Sequence, residues 1–356
     1  MELAWYARPG ISPKNEARFN AALGALLLAF VVGWSYAVYR SFAFDEPPPS
    51  LTSAITASPL SSEAPPAAAY LTDAAVNAFT SDLHGASGKV NVVVRKPGES
   101  ITDSLPAGAT IKYAEGSDTA AAAARPGVWN VLIAMKDAVR PVPNLTLLTL
   151  VPLSEKKNGR IGTYNIGSWP YERGGKPRGP QYAPPAGLIR VTPQNLNTQV
   201  SEHFRLGDFI TKGQSNVWPK YVAMSPRLLD KLELVMQELN ATGTPVTHVG
   251  VISAFRTPSY NESGGNPAGR AGLSRHMYGD AMDIFIDNNK DGRMDDLNKD
   301  GRIDTKDGRV IVNAAQSVER KNPELIGGVG LYAPTGAHSG FVHIDTRGYR
   351  ARWGGA

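Results

Sequence analysis

The 356-residue sequence contains no cysteine. That absence excludes disulfide frameworks, thiolate zinc sites and cysteine nucleophiles, and leaves imidazole and carboxylate as the side chains able to hold a catalytic metal. Histidine is scarce too, with six in the chain, so the search for such a site is short. Charged residues make up only 19% of the sequence, with a net charge of +5. The basic residues form no Lys/Arg-rich run interleaved with aromatics, so nucleic acid is not an expected partner. A mild positive excess suits an anionic polymer or a membrane surface instead. What is plentiful is glycine (36), proline (27) and apolar residues (42%). This balance is too apolar for global disorder, and the length is too great for one small domain.

Residues 21–38 (AALGALLLAFVVGWSYAV) carry no charge and match the length a helix needs to cross ~30 Å of hydrocarbon. The sequence predicts a transmembrane helix over 21–39 behind a cytoplasmic tail of residues 1–20. Arg8, Lys14 and Arg18 precede it and only Arg40 follows closely, so the rest of the chain is expected outside the cytoplasm. The expected location is the cell (inner) membrane, single-pass, with the C-terminal domains in the periplasm or another extracytoplasmic space. A cleaved signal peptide is the alternative, because Ser41-Phe42-Ala43 has cleavage-like spacing. Against it, the apolar run exceeds the about 7–15 residues of a signal core.

Residues 40–87, rich in Pro, Ala and Ser, cannot bury a core and read as an extended spacer. Short β-type runs between Gly88 and Pro152, separated by Pro-Gly and Pro-x-Pro turn signals, predict a small all-β sandwich-like domain over 88–155. It groups no catalytic residue types, so it is expected to be a spacer or an interaction module for an unidentified protein partner, and not a second enzyme. Residues 156–197 read as an irregular connector. From 198 to 356 the pattern predicts an α+β domain. Ser225-Pro226 starts a helix whose one face is Leu228, Leu229, Leu232, Val235, Met236 and Leu239. Further β-runs lie at Thr247–Phe255, Ala281–Ile286 and Gly340–Thr346, with a helix over Val310–Arg320.

In that domain His276 and Asp283 stand seven apart with Gly279 between them, and His343 follows inside a β-run. Two imidazoles and one carboxylate are a common way to hold catalytic zinc while leaving a fourth tetrahedral position open. Spacing alone is a weak signal. Four motifs surround it: Ser253-Ala254-Phe255-Arg256-Thr257-Pro258, the run from Ser274 to Ile284 (SRHMYGDAMDI), Gly327-Gly328-Val329-Gly330-Leu331-Tyr332, and Phe341-Val342-His343-Ile344-Asp345-Thr346-Arg347. With Ser201-Glu202-His203-Phe204 at their start, they resemble the zinc D-alanyl-D-alanine peptidases, which include murein carboxypeptidases and vancomycin-resistance dipeptidases. The nearest likeness is to the murein endopeptidase branch, over about Thr198 to Trp353.

This resemblance implies that His276, Asp283 and His343 ligate Zn2+, that Arg256 faces the substrate and stabilises an oxyanion, and that Ser274 either binds substrate or serves the turn. It implies a hydrolase acting on peptide bonds of peptidoglycan stems or cross-links, an endopeptidase rather than a carboxypeptidase. The general base departs from the family pattern. Family members often carry Glu three residues, or His two residues, before the last ligand, and Gly340 and Phe341 occupy those places. Asp345, on the same strand face as His343, and His338, five residues before it, are the alternatives. The departure keeps open an inactive module that binds peptidoglycan or an envelope partner. His203 is expected to be structural.

Between the second and third ligands, acidic and amide residues recur around glycine at the spacing by which a short loop wraps Ca2+. The first loop uses Asp287, Asn289, Asp291 and Asp295, closed by Asn298. The second uses Asp296, Asn298, Asp300 and Asp304, closed by Asp307, and Arg293 and Arg302 each offer a backbone carbonyl. Met294 and Ile303 fill the same apolar position in each. These loops, 287–307, resemble those of dockerins and thrombospondin type 3 repeats, and a hydrated acidic surface loop is the alternative.

Overall fold

The computed structural model describes residues 90–356, apart from 100, 102–107, 116–117, 121–124, 136–137 and 265–269. The expected cytoplasmic tail, the membrane helix at 21–39 and the spacer at 40–87 lie outside the described residues.

The first described elements are five strands: β1 (Asn91–Arg95), β2 (Thr110–Glu115), β3 (Asp118–Ala120), β4 (Gly127–Met135) and β5 (Ala138–Thr149). They form one sheet in the order β1-β5-β4-β2-β3. Alternation along β4 sends Trp129, Val131 and Ile133 to one side, where they pack with Tyr113, Leu145 and Leu147. Trp129 Nε1 donates to Thr149 Oγ1 at 2.8 Å, so the polar end of the buried indole is satisfied.

Next come β6 (Val151–Pro152), β7 (Arg160–Ile161), β8 (Tyr164–Asn165), β9 (Gly187–Val191) and β10 (Lys220–Val222). The residues expected to form an irregular connector therefore include a hairpin, β7-β8, and the central strand of a three-stranded sheet, β10-β9-β6. Their aromatics Tyr164, Trp169 and Tyr182 are buried in the large core.

The C-terminal sheet contains β11 (Val249–Ser253), β12 (Ala281–Ile286), β13 (Gly328–Tyr332), β14 (Phe341–Asp345) and β15 (Ala351–Trp353), in the order β11-β12-β14-β13-β15. Helices α1 (Pro226–Ala241) and α3 (Thr305–Lys321) pack together, α3 lies against β13 and β14, and the short α2 (Pro258–Glu262) follows β11. The apolar face expected for α1 is buried throughout, and each such leucine contributes roughly 1.5–3 kcal/mol. The helix also buries Lys231, whose Nζ donates to Glu319 Oε1 and to the Asp345 carbonyl, both at 2.7 Å. Pairing of this kind keeps a buried charge tolerable and ties α1, α3 and β14 together.

Two parts of the expected architecture are corrected. The described residues of 88–155 do not form a sandwich, because β1 joins the single sheet as a parallel edge beside β5 and β6 pairs with β9. More broadly, the expected α+β domain behind a β-sandwich gives way, among the described residues, to mixed sheets with few helices. Among the described residues no helix is long and apolar enough to cross a membrane. Strand-like periodicity reveals strands but not their partners, which explains the first error.

Candidate metal centre

One transverse row of the C-terminal sheet organises the site. Ser253 on β11 is the register partner of Asp283 on β12, Asp283 of His343 on β14, His343 of Gly330 on β13, and Gly330 of Trp353 on β15. Residues in register point to the same face, so Asp283 and His343 stand side by side on the face away from α3. His276 arrives from a 3₁₀ turn, Arg275–Tyr278, that ends at Gly279 in the left-handed region with φ 72°. A Cβ at Gly279 would strike the Ala223 backbone, so glycine is required there on both counts. The turn is tied to α1 because Ser225 N donates to the Gly279 carbonyl at 2.9 Å.

His276, Asp283 and His343 are all buried, and their ligand atoms lie within 4.8 Å of one another. His276 Nε2 is 3.1 Å from His343 Nδ1 and 3.2 Å from Asp283 Oδ1, and His343 Nδ1 is 2.8 Å from the same oxygen. The outer nitrogens are engaged elsewhere. His276 Nδ1 donates to the Ala254 carbonyl at 2.6 Å, and His343 Nε2 donates to Asp345 Oδ2 at 3.0 Å. With those protons placed outward, the inner nitrogens present lone pairs to each other and to a carboxylate oxygen. Such a cluster is repulsive unless a cation sits among its members.

The electrostatics agree. Burial pushes the His276 imidazole below its ordinary value. Burial acts the same way on His343, but hydrogen bonds to Asp283 and Asp345 override it and raise this imidazole to about 9. Burial raises the Asp283 carboxyl, yet the two imidazoles hold it well below the usual carboxylate range. The donor set, two imidazoles and a carboxylate, fits zinc.

The other expected site residues are placed as follows. Arg256 gives Nη2 to Asp283 Oδ2 at 2.6 Å and Nε to Ser253 Oγ at 2.8 Å, so one donor holds the carboxylate of the cluster and a second is anchored on β11. Asp345 contacts His343 and not the inner face of the cluster, and it also receives Arg347 Nε at 2.9 Å and Gly328 N at 2.7 Å. Ser274 is buried and opens the 3₁₀ turn, accepting Met277 N on its carbonyl at 3.2 Å. His338 Nδ1 donates to the Ser339 carbonyl at 2.8 Å and its ring packs on Phe341, and none of its hydrogen bonds reaches the cluster.

In the loops at 287–307 the carboxylates accept backbone N–H groups. Asp287 receives Asp291 N at 2.9 Å and Gly292 N at 3.1 Å, and Asp296 receives Asp300 N at 3.2 Å and Gly301 N at 2.8 Å. Asn289 and Asn298 each accept the N–H two residues on, as do Asp291 from Arg293 and Asp300 from Arg302. The turns repeat in conformation, with Lys290 and Lys299 both at φ 60° and Gly292 and Gly301 at 80° and 82°. Asp295 accepts Asn288 N, Asp304 caps α3, and the fully buried Asp307 accepts Leu297, Asn298 and Asp304 N–H groups. Met294 is buried but Ile303 is 48% exposed, so the two loops are not equivalent. These carboxylates do not converge as the histidine cluster does, which is the group of that kind found among the described residues.

Several contributors carry no spacing signal. Trp169 Nε1 donates to the Met277 carbonyl at 2.7 Å, and Asn165 Nδ2 to Ser259 Oγ at 2.8 Å, bracing the 3₁₀ turn and α2 from more than ninety residues away. The Trp353 ring lies 5.0 Å from that of His343, and its Nε1 donates to the Tyr332 hydroxyl at 2.8 Å.

Residues 216–353 match the family model described as Peptidoglycan L,D-endopeptidase MepK. Over that span the resemblance to the zinc D-alanyl-D-alanine peptidases, and to their murein endopeptidase branch, is borne out. No curated protein and no solved structure matches the chain.

Proposed function

We propose that the protein is a zinc-dependent endopeptidase that hydrolyses peptide bonds in peptidoglycan stems or cross-links, with the L,D-bond named by the matching family as the first candidate. The observation that carries this reading is the convergence of His276 Nε2, His343 Nδ1 and Asp283 Oδ1, within a span that matches a peptidoglycan peptidase family. Bound there, zinc would supply Lewis acidity, polarising a carbonyl and lowering the pKa of water towards ~7. The chain's own part is to hold the three lone pairs in place. Ala254 and Asp345 fix the imidazole tautomers, and Arg256 fixes the carboxylate. The substrate class implies work outside the cytoplasm.

Purified protein incubated with peptidoglycan sacculi tests the proposal. New muropeptides that disappear in His276→Ala, disappear on metal removal and return with zinc are expected; no products from the zinc-loaded wild type would overturn it. A non-catalytic binding module is the second reading, favoured by Gly340 and Phe341 in the places of the family base. It predicts sedimentation with sacculi and no products.

The loops at 287–307 are proposed as calcium loops. The support is their repeated turn conformation beside β12, the strand that carries Asp283.

A further inference from the structure

Arg256 is the residue expected to stabilise an oxyanion, but two of its donors already hold Ser253 and Asp283. Negative charge developing on a carbonyl oxygen calls for a preorganised donor close to the cluster. Tyr332 has that position. It ends β13, two residues beyond Gly330, and so lies on the face of the sheet that carries His343. Its ring stacks on Phe341 with centroids 4.4 Å apart and planes at 11°, which fixes the ring.

The hydroxyl is fixed by Trp353. Gly330 is the register partner of both His343 and Trp353, and a Cβ there would strike the indole, so the bare backbone is what lets Trp353 lean across onto His343. An indole N–H can only donate, so the Tyr332 oxygen is the acceptor of the 2.8 Å bond and its own proton is left to give. Among the described residues that proton has no acceptor. At 37% exposure the residue is open to solvent, one hydrogen bond away from the indole that packs on His343. Its hydroxyl also lies within the electrostatic field of Asp283 and Arg256.

We propose that Tyr332 is a catalytic residue whose hydroxyl, oriented by Trp353, donates a hydrogen bond to the carbonyl oxygen of the scissile peptide as that oxygen gains negative charge. No proton is transferred: the phenol remains neutral and stabilises the charge by dipole and hydrogen bond. The proposal rests on the peptidase reading above and adds to it a residue outside the metal cluster.

The test uses the full-length, zinc-loaded protein. In Tyr332→Phe, kcat on peptidoglycan peptides should fall about 10–100-fold, at or below the loss usual for one oxyanion donor, with KM within about twofold. Zinc stoichiometry and Tm should stay unchanged. A second readout does not depend on turnover: calorimetric affinity for a phosphinate peptide, a tetrahedral mimic, should fall by a similar factor. Trp353→Phe, which retains the hydroxyl but frees it to rotate, should give an intermediate loss. Unchanged kcat and phosphinate affinity in Tyr332→Phe would overturn the proposal, as would a rise in KM alone or a loss of zinc. Failure of the wild type to release muropeptides would overturn the peptidase reading itself, and the phosphinate comparison would still report on Tyr332.

Discussion

Asp345 Oδ2 lies 3.0 Å from His343 Nε2, two residues along the same strand, and the carboxylate is wholly buried. Residues two apart on a strand share a face, so β14 supplies both an imidazole for the cluster and the group that sets its tautomer. The same carboxylate receives Arg347 and Gly328, which fix its own orientation.

That relationship separates the two roles open to Asp345. As an orienting group, its loss in Asp345→Ala should weaken zinc affinity about 10–100-fold. It should also destabilise the fold by about 1–3 kcal/mol, because buried donors lose their acceptor. Competition with a chromophoric chelator measures the first and thermal melting the second. Full zinc retention with lost turnover would instead mark Asp345 as the base.

Gly330→Ala should cost about 1–3 kcal/mol, since the new methyl group meets the Trp353 indole and the site is already filled. Activity should fall further than stability explains, because the indole leaves both His343 and Tyr332. Tryptophan emission alongside kcat reads both effects.

Calcium should raise Tm in protein whose zinc is retained. Each loop that binds would stabilise the fold by about 2.7 kcal/mol at a hundredfold excess over Kd. Asp291→Ser with Asp300→Ser, which alters one carboxylate in each loop, should abolish the shift in a calcium melting series. An identical shift in that double variant would place the calcium elsewhere.

His203 gives a pH dependence away from the cluster. Its Nδ1 is 2.7 Å from Glu233 Oε2, and that hydrogen bond raises the imidazole above its ordinary value of 6.5. A group raised on folding contributes stability that is fully present below the unfolded pKa and is lost as pH rises through the folded one. The Tm advantage of wild type over His203→Gln should therefore be largest below about pH 6.5 and shrink on the alkaline side. Melts of both proteins across that range check it.

The sequence by itself determined local matters. It placed the helix that opens at Ser225-Pro226, the apolar side of that helix, and the strands bearing Asp283 and His343, since period and turn residues are properties of a few neighbours. It also offered His276, Asp283 and His343, weakly by their spacing and more strongly through the family resemblance that four ordered motifs carry. Tertiary structure alone decided which strands pair. That turned an expected sandwich into one mixed sheet and set Ser253, Asp283, His343, Gly330 and Trp353 in a single row. It also decided that Arg256 spends two donors on Asp283 and Ser253, that Lys231 is buried within an amphipathic helix, and that Trp353 orients Tyr332. The physical reason is that these contacts join residues far apart in the chain, and a side chain's partner across such a distance is fixed by register and packing, which leave no periodic trace in sequence.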